Sequence, residues 1–205
     1  MRDVSRVPVS SRGRERYARI IEAATELFLR DGYLATSIDN ILSLAGGSKA
    51  TLYNYFPTKD DLFRAVIDKI VANRKRPELD THDDVHKTLE QYAVQRLSVI
   101  FSGPHRTLLR IMIAEQHNFP DLAQEYHARG PLRSREVLIT YFSELKKQRI
   151  LAIDDPIEAA DFFAGMLVHQ WYGELLLLGA KPPTAAAVKR RAKSVVKRFI
   201  AAYKG

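Results

Sequence analysis

Two short helix signals on either side of a Gly46-Gly47 pair place the strongest constraint on this chain. The first covers residues 36–45. The second covers 49–56 and stops at Pro57, because proline disfavours helix in the residue before it. An isolated helix needs about 12–15 residues to be even marginally stable in water. Two shorter helices in succession must therefore be held by tertiary packing, as they are in a helix-turn-helix.

Capping signals and apolar spacing extend the helical pattern along the chain. Thr36 with Asp39 three residues later is expected to form a capping box, and Ser48 and Thr58 are expected to cap the next two helices. Apolar residues three and four positions apart predict a long helix from Arg14. No run of alternating apolar and polar residues predicts a strand, so the expected fold class is all-α. Later helices are predicted at about 58–76, 85–102, 105–118, 121–129, 131–150, 156–179 and 184–203.

The distribution of charge is more informative than the net charge of +8. Residues 1–76 carry +5, residues 77–180 carry −5 and residues 181–205 carry +8, so a polyanion should favour the two ends. The sequence has no cysteine, which excludes disulfides and thiolate zinc sites. It also has no apolar run of about 18 residues and no signal-peptide pattern. We therefore expect a cytoplasmic protein without a membrane partner.

The second short helix divides into an apolar side and a polar side. Leu52 and Phe56 are four residues apart and should face the core with Ile38 and Ile41. The remaining side chains suit double-stranded DNA, because amide and hydroxyl groups bond to base edges and phosphates. An alternative is that the two tyrosines of this helix are half-buried packing residues. The predicted DNA contacts are Thr36, Ser37, Ser48, Lys49, Ala50, Thr51, Tyr53, Asn54, Tyr55 and Lys59.

Two other basic segments could also meet nucleic acid. Residues 1–13 read as a flexible basic arm, in which arginines enter a minor groove or make only salt-sensitive contacts with phosphates. The arginines in question are Arg2, Arg6, Arg12 and Arg14. The basic helix 184–203 instead has apolar residues at helical spacing, so we interpret it as an amphipathic helix that packs through its apolar side.

The segment from Arg16 to about Val66 resembles the TetR family of bacterial transcriptional regulators. It contains the entry DGYLATSIDNI followed by AGGSKATLYNYFPTKDDLFRAV. The later segment RTLLRIMIAEQHNFPDLAQEYHARGP is similar to the AefR-like branch of the family's C-terminal domains. Two departures stand out: Gly47 replaces an apolar turn residue, and Leu42 replaces a common alanine.

The resemblance implies a helix-turn-helix DNA-binding domain with a connecting helix over 14–76 and a larger effector-binding and dimerisation domain over 77–205. It implies a homodimeric repressor that leaves a palindromic operator when a small hydrophobic effector binds. The aromatic and Met candidates for an effector pocket would serve equally well as ordinary core. They are Tyr92, Met112, His117, Phe119, Tyr126, Phe162, Met166 and His169; the dimer-interface candidates are Trp171, Leu175, Val188, Val195 and Phe199.

Catalytic and metal chemistry find little support in the sequence. His82 and His86 have the spacing of a helical zinc site, but Asp83 stands where the metalloprotease motif needs glutamate. We find no phosphate-binding glycine loop and no G-x-S-x-G motif, so we expect no enzyme, no metal site and no cofactor. Two alternatives remain: a DNA-binding regulator without a small effector, and a helical protein that sequesters or converts a small molecule.

Overall fold

The computed structural model describes residues 8–72 and 79–204, and every regular element in those ranges is helical, which confirms the all-α fold. A single π-helical turn at Ala128–Leu132 connects the seventh and eighth helices. The helices are α1 Ser11–Asp31, α2 Ile38–Ala45, α3 Lys49–Tyr55, α4 Lys59–Ala72, α5 Val85–Ile100, α6 Gly103–Glu115, α7 Pro120–His127, α8 Arg133–Lys147, α9 Pro156–Leu178 and α10 Ala185–Ala202.

Most predicted helix starts are confirmed by the capping hydrogen bonds. The Ser48 hydroxyl accepts from the Thr51 amide at 3.2 Å. Thr58 and Asp61 cap each other's backbone amides, at 3.1 Å in both directions, which is a complete capping box at the start of α4. Asp155 caps α9 at the predicted helix start, accepting from the Ile157 amide at 2.8 Å. These bonds fix where the short helices begin.

The predicted capping role of Thr36 is wrong, because Ser37 is the N-cap of α2. The Ser37 hydroxyl accepts from the Asn40 amide at 3.1 Å, one residue later than predicted. Thr36 is only 1% exposed, and its hydroxyl donates instead to the Gly32 carbonyl at 2.7 Å. Thr36 therefore closes the loop after α1 rather than starting α2.

Two further boundaries differ from the prediction. Helix α1 begins at Ser11, three residues before the predicted start at Arg14, since the Ser10 hydroxyl accepts from the Gly13 amide at 3.1 Å. Arg12 is therefore helical, like Arg14, and not part of a flexible arm. Arg2, Arg6 and the expected end of α4 near 76–77 lie outside the described residues. Helical structure also continues through Gly130-Pro131, where the sequence predicted the end of one helix and the start of the next. The wider π-helical turn takes in Pro131, and the Ser134 hydroxyl donates to the Gly130 carbonyl at 3.0 Å.

The chain forms two compact units. The first contains the described residues up to Ala72 together with Thr107–Arg129, and the second contains the described residues from Leu79 to Arg106 and from Gly130 onward. Aromatic rings occupy the middle of the first core: the Phe63 ring centroid lies 4.9 Å from that of Phe28 and 4.8 Å from that of Tyr33. Burial of these apolar surfaces, at about 25 cal/mol per Å², is what holds the short helices α2 and α3 in place.

The division into units differs from the predicted boundary near residue 77. Leu108, Met112, Leu122 and Tyr126 of α6 and α7 are buried in the same core as the helix-turn-helix. Ion pairs add to this packing: Arg64 of α4 bonds Glu125 of α7 at 2.9 Å and Asp61 at 3.0 Å. Arg129 also pairs with Glu125, at 3.3 Å, and with Asp68 of α4. The unit that contains the helix-turn-helix is therefore built from two separate stretches of sequence.

The second unit packs α5, α8, α9 and α10 around a shared core. Phe142, Phe163 and Phe199 form its aromatic centre, with ring centroids 5.0 to 5.9 Å apart. The apolar side of α10 is buried here, which confirms the amphipathic interpretation of that helix. Within the described ranges, no helix is both long and apolar enough to cross a membrane.

Candidate nucleic-acid interface

Helix α3 is anchored by two fully buried residues. Leu52 and Phe56 are both 0% exposed, as is Ile41 of α2, which confirms the predicted inward side. Ile38 is half-buried against the same core. The rest of α3 is thereby held with a fixed orientation, which a recognition helix needs in order to present its side chains reproducibly.

The outward side of α3 is a compact patch of four exposed residues, which we call the α3 face. Lys49, Ala50, Tyr53 and Asn54 are one and four positions apart, so they share one side of the helix. Ser37 and Ser48 are also exposed and lie at the helix starts. The predicted contacts thus come together, except that Thr36 is buried and has its hydroxyl engaged.

The structure distinguishes the two tyrosines of α3. Tyr53 is 44% exposed, whereas Tyr55 is half-buried and its ring meets that of Tyr17 edge-on at 5.8 Å. Tyr17 of α1 also stacks on Phe56 at 5.0 Å. Tyr55 therefore has the packing role considered as an alternative, while Tyr53 is free to extend towards a ligand. Tyr17 supports the end of α3, a role that its apolar spacing alone did not reveal.

Lys59 and Thr51 lie beside the α3 face, and the polar group of each already interacts with another residue of the protein. The Lys59 ammonium lies 4.4 Å from the centre of the Tyr33 ring and donates to the Leu34 carbonyl at 3.4 Å. Burial lowers the pKa of Lys59 from its ordinary value. The Thr51 hydroxyl lies 3.0 Å from the Ser48 hydroxyl. A cation held over an aromatic ring has a restricted position, which suits a single phosphate contact.

Tyr33 is the buried residue whose ring lies under the Lys59 ammonium. It is 3% exposed, it packs against Phe119 at 4.6 Å between ring centroids, and its hydroxyl donates to Asp60. Burial, followed by the hydrogen bond to Asp60, raises the pKa of Tyr33 well above its ordinary value of 10. The neutral phenol is thus the form that the folded protein favours.

The raised pKa of Tyr33 predicts a loss of stability in alkaline solution. The folded state retains the phenolic proton above pH 10 whereas the unfolded state releases it, so the free energy of unfolding should be constant below about pH 10 and fall as the pH rises further. Urea unfolding between pH 8 and pH 11 measures this. Tyr33→Phe should reduce the slope above pH 10, and an unchanged slope in that variant would assign the effect to other groups.

The turn between α2 and α3 depends on its two glycines. Gly46 and Gly47 have φ angles of 72° and 106°, which other residues rarely adopt. Gly47 also lies against α1: a Cβ added there would overlap the Arg16 guanidinium, whose Cζ is 3.5 Å from that position. The departure of Gly47 from the family pattern therefore coincides with the packing of Arg16 onto the turn.

The predicted effector-pocket residues are divided between the two units. Met112 and Tyr126 are buried in the core of the first unit, Phe119 packs against that core, and His117 is exposed. Tyr92 belongs to the core of the second unit, where its hydroxyl donates to the Ser134 carbonyl at 3.2 Å. The effector pocket therefore stays a prediction, and helical spacing did not reveal in which core each of these side chains is buried.

The other three members of the set lie in a groove between α9 and α10, which we call the α9–α10 groove. Phe162, Met166 and His169 line it. The groove has a volume of about 1220 Å³ and also contains Arg190, Arg198 and Ser194. Arg191 lies over the Trp171 ring at 4.8 Å. These residues come from two neighbouring helices and form one continuous surface that contains both apolar and charged side chains.

The predicted dimer-interface residues divide between this groove and the core. Trp171, Val195 and Phe199 line the groove, and Leu175 and Val188 are buried in the core of the second unit. Apart from the half-buried Trp171, all of them are at most 5% exposed. More accessible apolar groups on α9 were not among the interface candidates: Phe162, predicted for the pocket, is 53% exposed and Leu177 is 84% exposed. The sequence could not single them out, because α9 is apolar nearly all round.

His82 and His86 lie beside Asp84, which caps α5 by accepting from the Lys87 amide at 2.8 Å. Over residues 8–72 and 79–204, no group of three or more His, Cys, Asp or Glu side chains is arranged to hold a metal ion. The acidic side chain at Asp84 is therefore accounted for by helix capping.

Comparison with known proteins agrees with the all-helical fold and its helix-turn-helix. Residues 20–66 match the N-terminal domain of bacterial regulatory proteins of the tetR family. Residues 87–205 match the C-terminal domain of AefR-like transcriptional repressors. Together these two matches cover both the helix-turn-helix and the second unit.

Individual relatives give the same result. The solved structure of the flavonoid-responsive regulator FrrA is 33% identical, has a TM-score of 0.78 and covers 93% of this chain and 97% of its own. A TetR-family protein from Mesorhizobium loti is 27% identical with a TM-score of 0.78, covering 95% and 98%. The HTH-type regulator YvkB of Bacillus subtilis is 25% identical over 150 residues, 73% of this chain and 77% of that protein.

Some sequence relatives match over a shorter stretch. The regulator YhgD of Bacillus subtilis is 34% identical over 82 residues, and this chain spans less than half of it, 43%. The likeness to the FrrA structure, in contrast, extends over nearly the whole of both chains, and the C-terminal domain is matched separately. The chain belongs to the TetR family of transcriptional regulators.

Proposed function

We propose that this regulator is a homodimeric repressor that binds a palindromic operator through its α3 face and is released by a small hydrophobic effector. The observation that carries the DNA-binding part is the α3 face itself. Four exposed residues stand on a helix whose opposite side is fully buried. Lys49, Tyr53 and Asn54 supply an ammonium, a phenol and an amide, which suit phosphates and base edges.

A second copy of the chain is the proposed occupant of the α9–α10 groove. Phe162, Gly165, His169, Gly173 and Leu177 follow one another at spacings of three and four on α9, and all of them are exposed. A Cβ at either glycine would meet nothing within 4 Å, so another helix can approach closely there. In a two-fold dimer the same surface serves both subunits, and the operator is then expected to be palindromic.

Phe162→Ala tests this interface. Truncating an exposed aromatic ring that becomes buried in both subunits should raise the dimer dissociation constant at least tenfold. Sedimentation velocity over a dilution series measures the change. Ile150→Ala is the matched control, because Ile150 is 43% exposed and lies outside α9 and α10. Equal dissociation constants for wild type and Phe162→Ala would place the interface elsewhere.

Regulation by a small apolar effector is supported by the relationship to FrrA, which is described as flavonoid-responsive and is 33% identical over nearly the whole chain. The second unit has the apolar and aromatic character that such a molecule needs. A coupling free energy of about 1–3 kcal/mol between effector and operator would change DNA affinity about 5–150-fold.

Selection of bound duplexes from a random pool tests the proposal as a whole. We expect one enriched sequence with two-fold symmetry and half-sites about one helical turn apart. Failure to enrich any sequence, or enrichment of an asymmetric site, would contradict it. Adding a panel of flavonoids and other apolar phenols to the selected complex then tests release. Unchanged binding with every compound would favour a regulator without an effector of this class.

A further inference from the structure

An ion pair lies on the surface through which the protein is proposed to read DNA. The Lys49 ammonium, at the first residue of α3, is 2.8 Å and 3.0 Å from the two carboxylate oxygens of Asp39 in the first turn of α2. The side chains are 59% and 68% exposed, so burial does not force them together. Asp39 nevertheless engages the lysine with both of its oxygens.

The position of Lys49 makes this contact unusual for a DNA-binding surface. A lysine at a helix N-terminus faces the positive end of the helix dipole, and the first turn of α3 has no acidic residue of its own. Asp39 supplies the missing negative charge from the neighbouring helix. That charge would repel the phosphates of a DNA duplex, so its presence beside the α3 face opposes binding to the backbone.

We propose that Asp39 is a specificity-determining residue, which keeps the Lys49 ammonium from phosphates and so lowers affinity for DNA of arbitrary sequence relative to the operator. This inference rests on the proposed function of the α3 face. Nonspecific binding consists almost entirely of contacts between cations and phosphates, each of which releases counterions. Base contacts from Asn54 do not depend on the Lys49 charge.

The strength of the pair sets the size of the effect. Exposed ion pairs are weak and are screened by salt, so Asp39 reduces phosphate contact by Lys49 and does not prevent it. Removing the carboxylate should therefore strengthen nonspecific binding several-fold. The pair also spans ten residues between two helices that are separately capped, so its loss should leave the helix-turn-helix folded.

The test uses the full-length chain and its Asp39→Asn variant. Fluorescence anisotropy with a random-sequence duplex, at salt concentrations from 50 to 200 mM, gives affinity and its salt dependence. We expect about three- to tenfold tighter nonspecific binding at low salt. We also expect a plot of log K against log salt that is steeper by up to about 0.9 for each protomer bound, which is the value for one fully gained phosphate contact. Affinity for the selected operator should change less, so the specificity ratio should fall.

Two further variants isolate the cause. Glu144→Gln removes a carboxylate that is paired with a lysine elsewhere: Glu144 is 40% exposed and lies 3.7 Å from Lys147 in the second unit. This variant should leave the salt slope at the wild-type value. Adding Lys49→Met to Asp39→Asn should return the slope to that of the wild type. A slope in Asp39→Asn equal to the wild-type slope would overturn the inference.

The outcome for Asp39 can be separated from that for the proposed function. Wild-type protein that binds random duplex but enriches no operator would overturn the proposed function, while the slope comparison on random duplex still decides the role of Asp39. Operator binding by the wild type together with equal slopes would retain the proposed function and reject the role of Asp39.

Discussion

Tyr53→Ala should lower affinity for the operator about 100- to 10,000-fold. A hydrogen bond to a charged phosphate contributes about 1.5–3 kcal/mol, and a homodimer loses it twice. Tyr53 is exposed, unlike Tyr55, whose ring packs against Tyr17. Removing the Tyr53 side chain should therefore leave the fold and the dimer unchanged. Fluorescence anisotropy with the selected operator measures the affinity, and circular dichroism and sedimentation check the fold and the dimer.

A matched variant shows which part of Tyr53 is responsible. Tyr53→Phe keeps the ring and removes the hydroxyl, so it should lose nearly as much affinity if the phosphate bond dominates. A smaller loss would indicate that the ring itself contacts the bases or sugars. Wild-type operator affinity in Tyr53→Ala would contradict the assignment of the α3 face to DNA.

Gly47→Ala should destabilise the first unit more than Gly46→Ala does. Both positions have positive φ angles, which cost an alanine about 1–3 kcal/mol. Only at Gly47 would the added Cβ also displace the Arg16 guanidinium, since nothing lies within 4 Å of a Cβ at Gly46. Helix α3 begins two residues later, so we expect weaker operator binding as well. Thermal denaturation and anisotropy measure the two effects.

The Arg16→Ala background separates backbone strain from the contact with Arg16. In that background Gly47→Ala should cost only as much as Gly46→Ala, because the overlapping side chain is gone. An unchanged difference between the two glycine variants would show that Arg16 simply moves aside. The two glycines would then differ only in their backbone conformation.

The fold and the α3 face follow from local patterns in the sequence. Side-chain caps such as Ser48 and Thr58, and the four-residue spacing of Leu52 and Phe56, are local features that the chain displays directly. The cap of α2 was misplaced by one residue because Thr36 and Ser37 are both residue types that cap helices, and Thr36 has Asp39 three residues later. Only the tertiary burial of Thr36 distinguishes them.

Contacts between distant parts of the chain could not be predicted in this way. Met112 and Phe162 are both apolar and both helical, yet the first is buried in one core and the second is exposed on a groove in the other unit. Periodicity reports which side of a helix is apolar but not what covers that side. The same limit applies to Asp39 and Lys49, whose ion pair depends on how α2 and α3 cross.

The assignment of Thr107–Arg129 to the first unit matters for anyone who wishes to recombine regulators of this kind. In a chimera that takes only α1–α4 from this protein, α6 and α7 would come from the other regulator. Its core would then lose Leu108, Met112, Leu122 and Tyr126, and Arg64 would lose its ion pair with Glu125. The DNA-binding unit of this protein must therefore be exchanged as two stretches of sequence, because the helices that pack together in it are not contiguous in the chain.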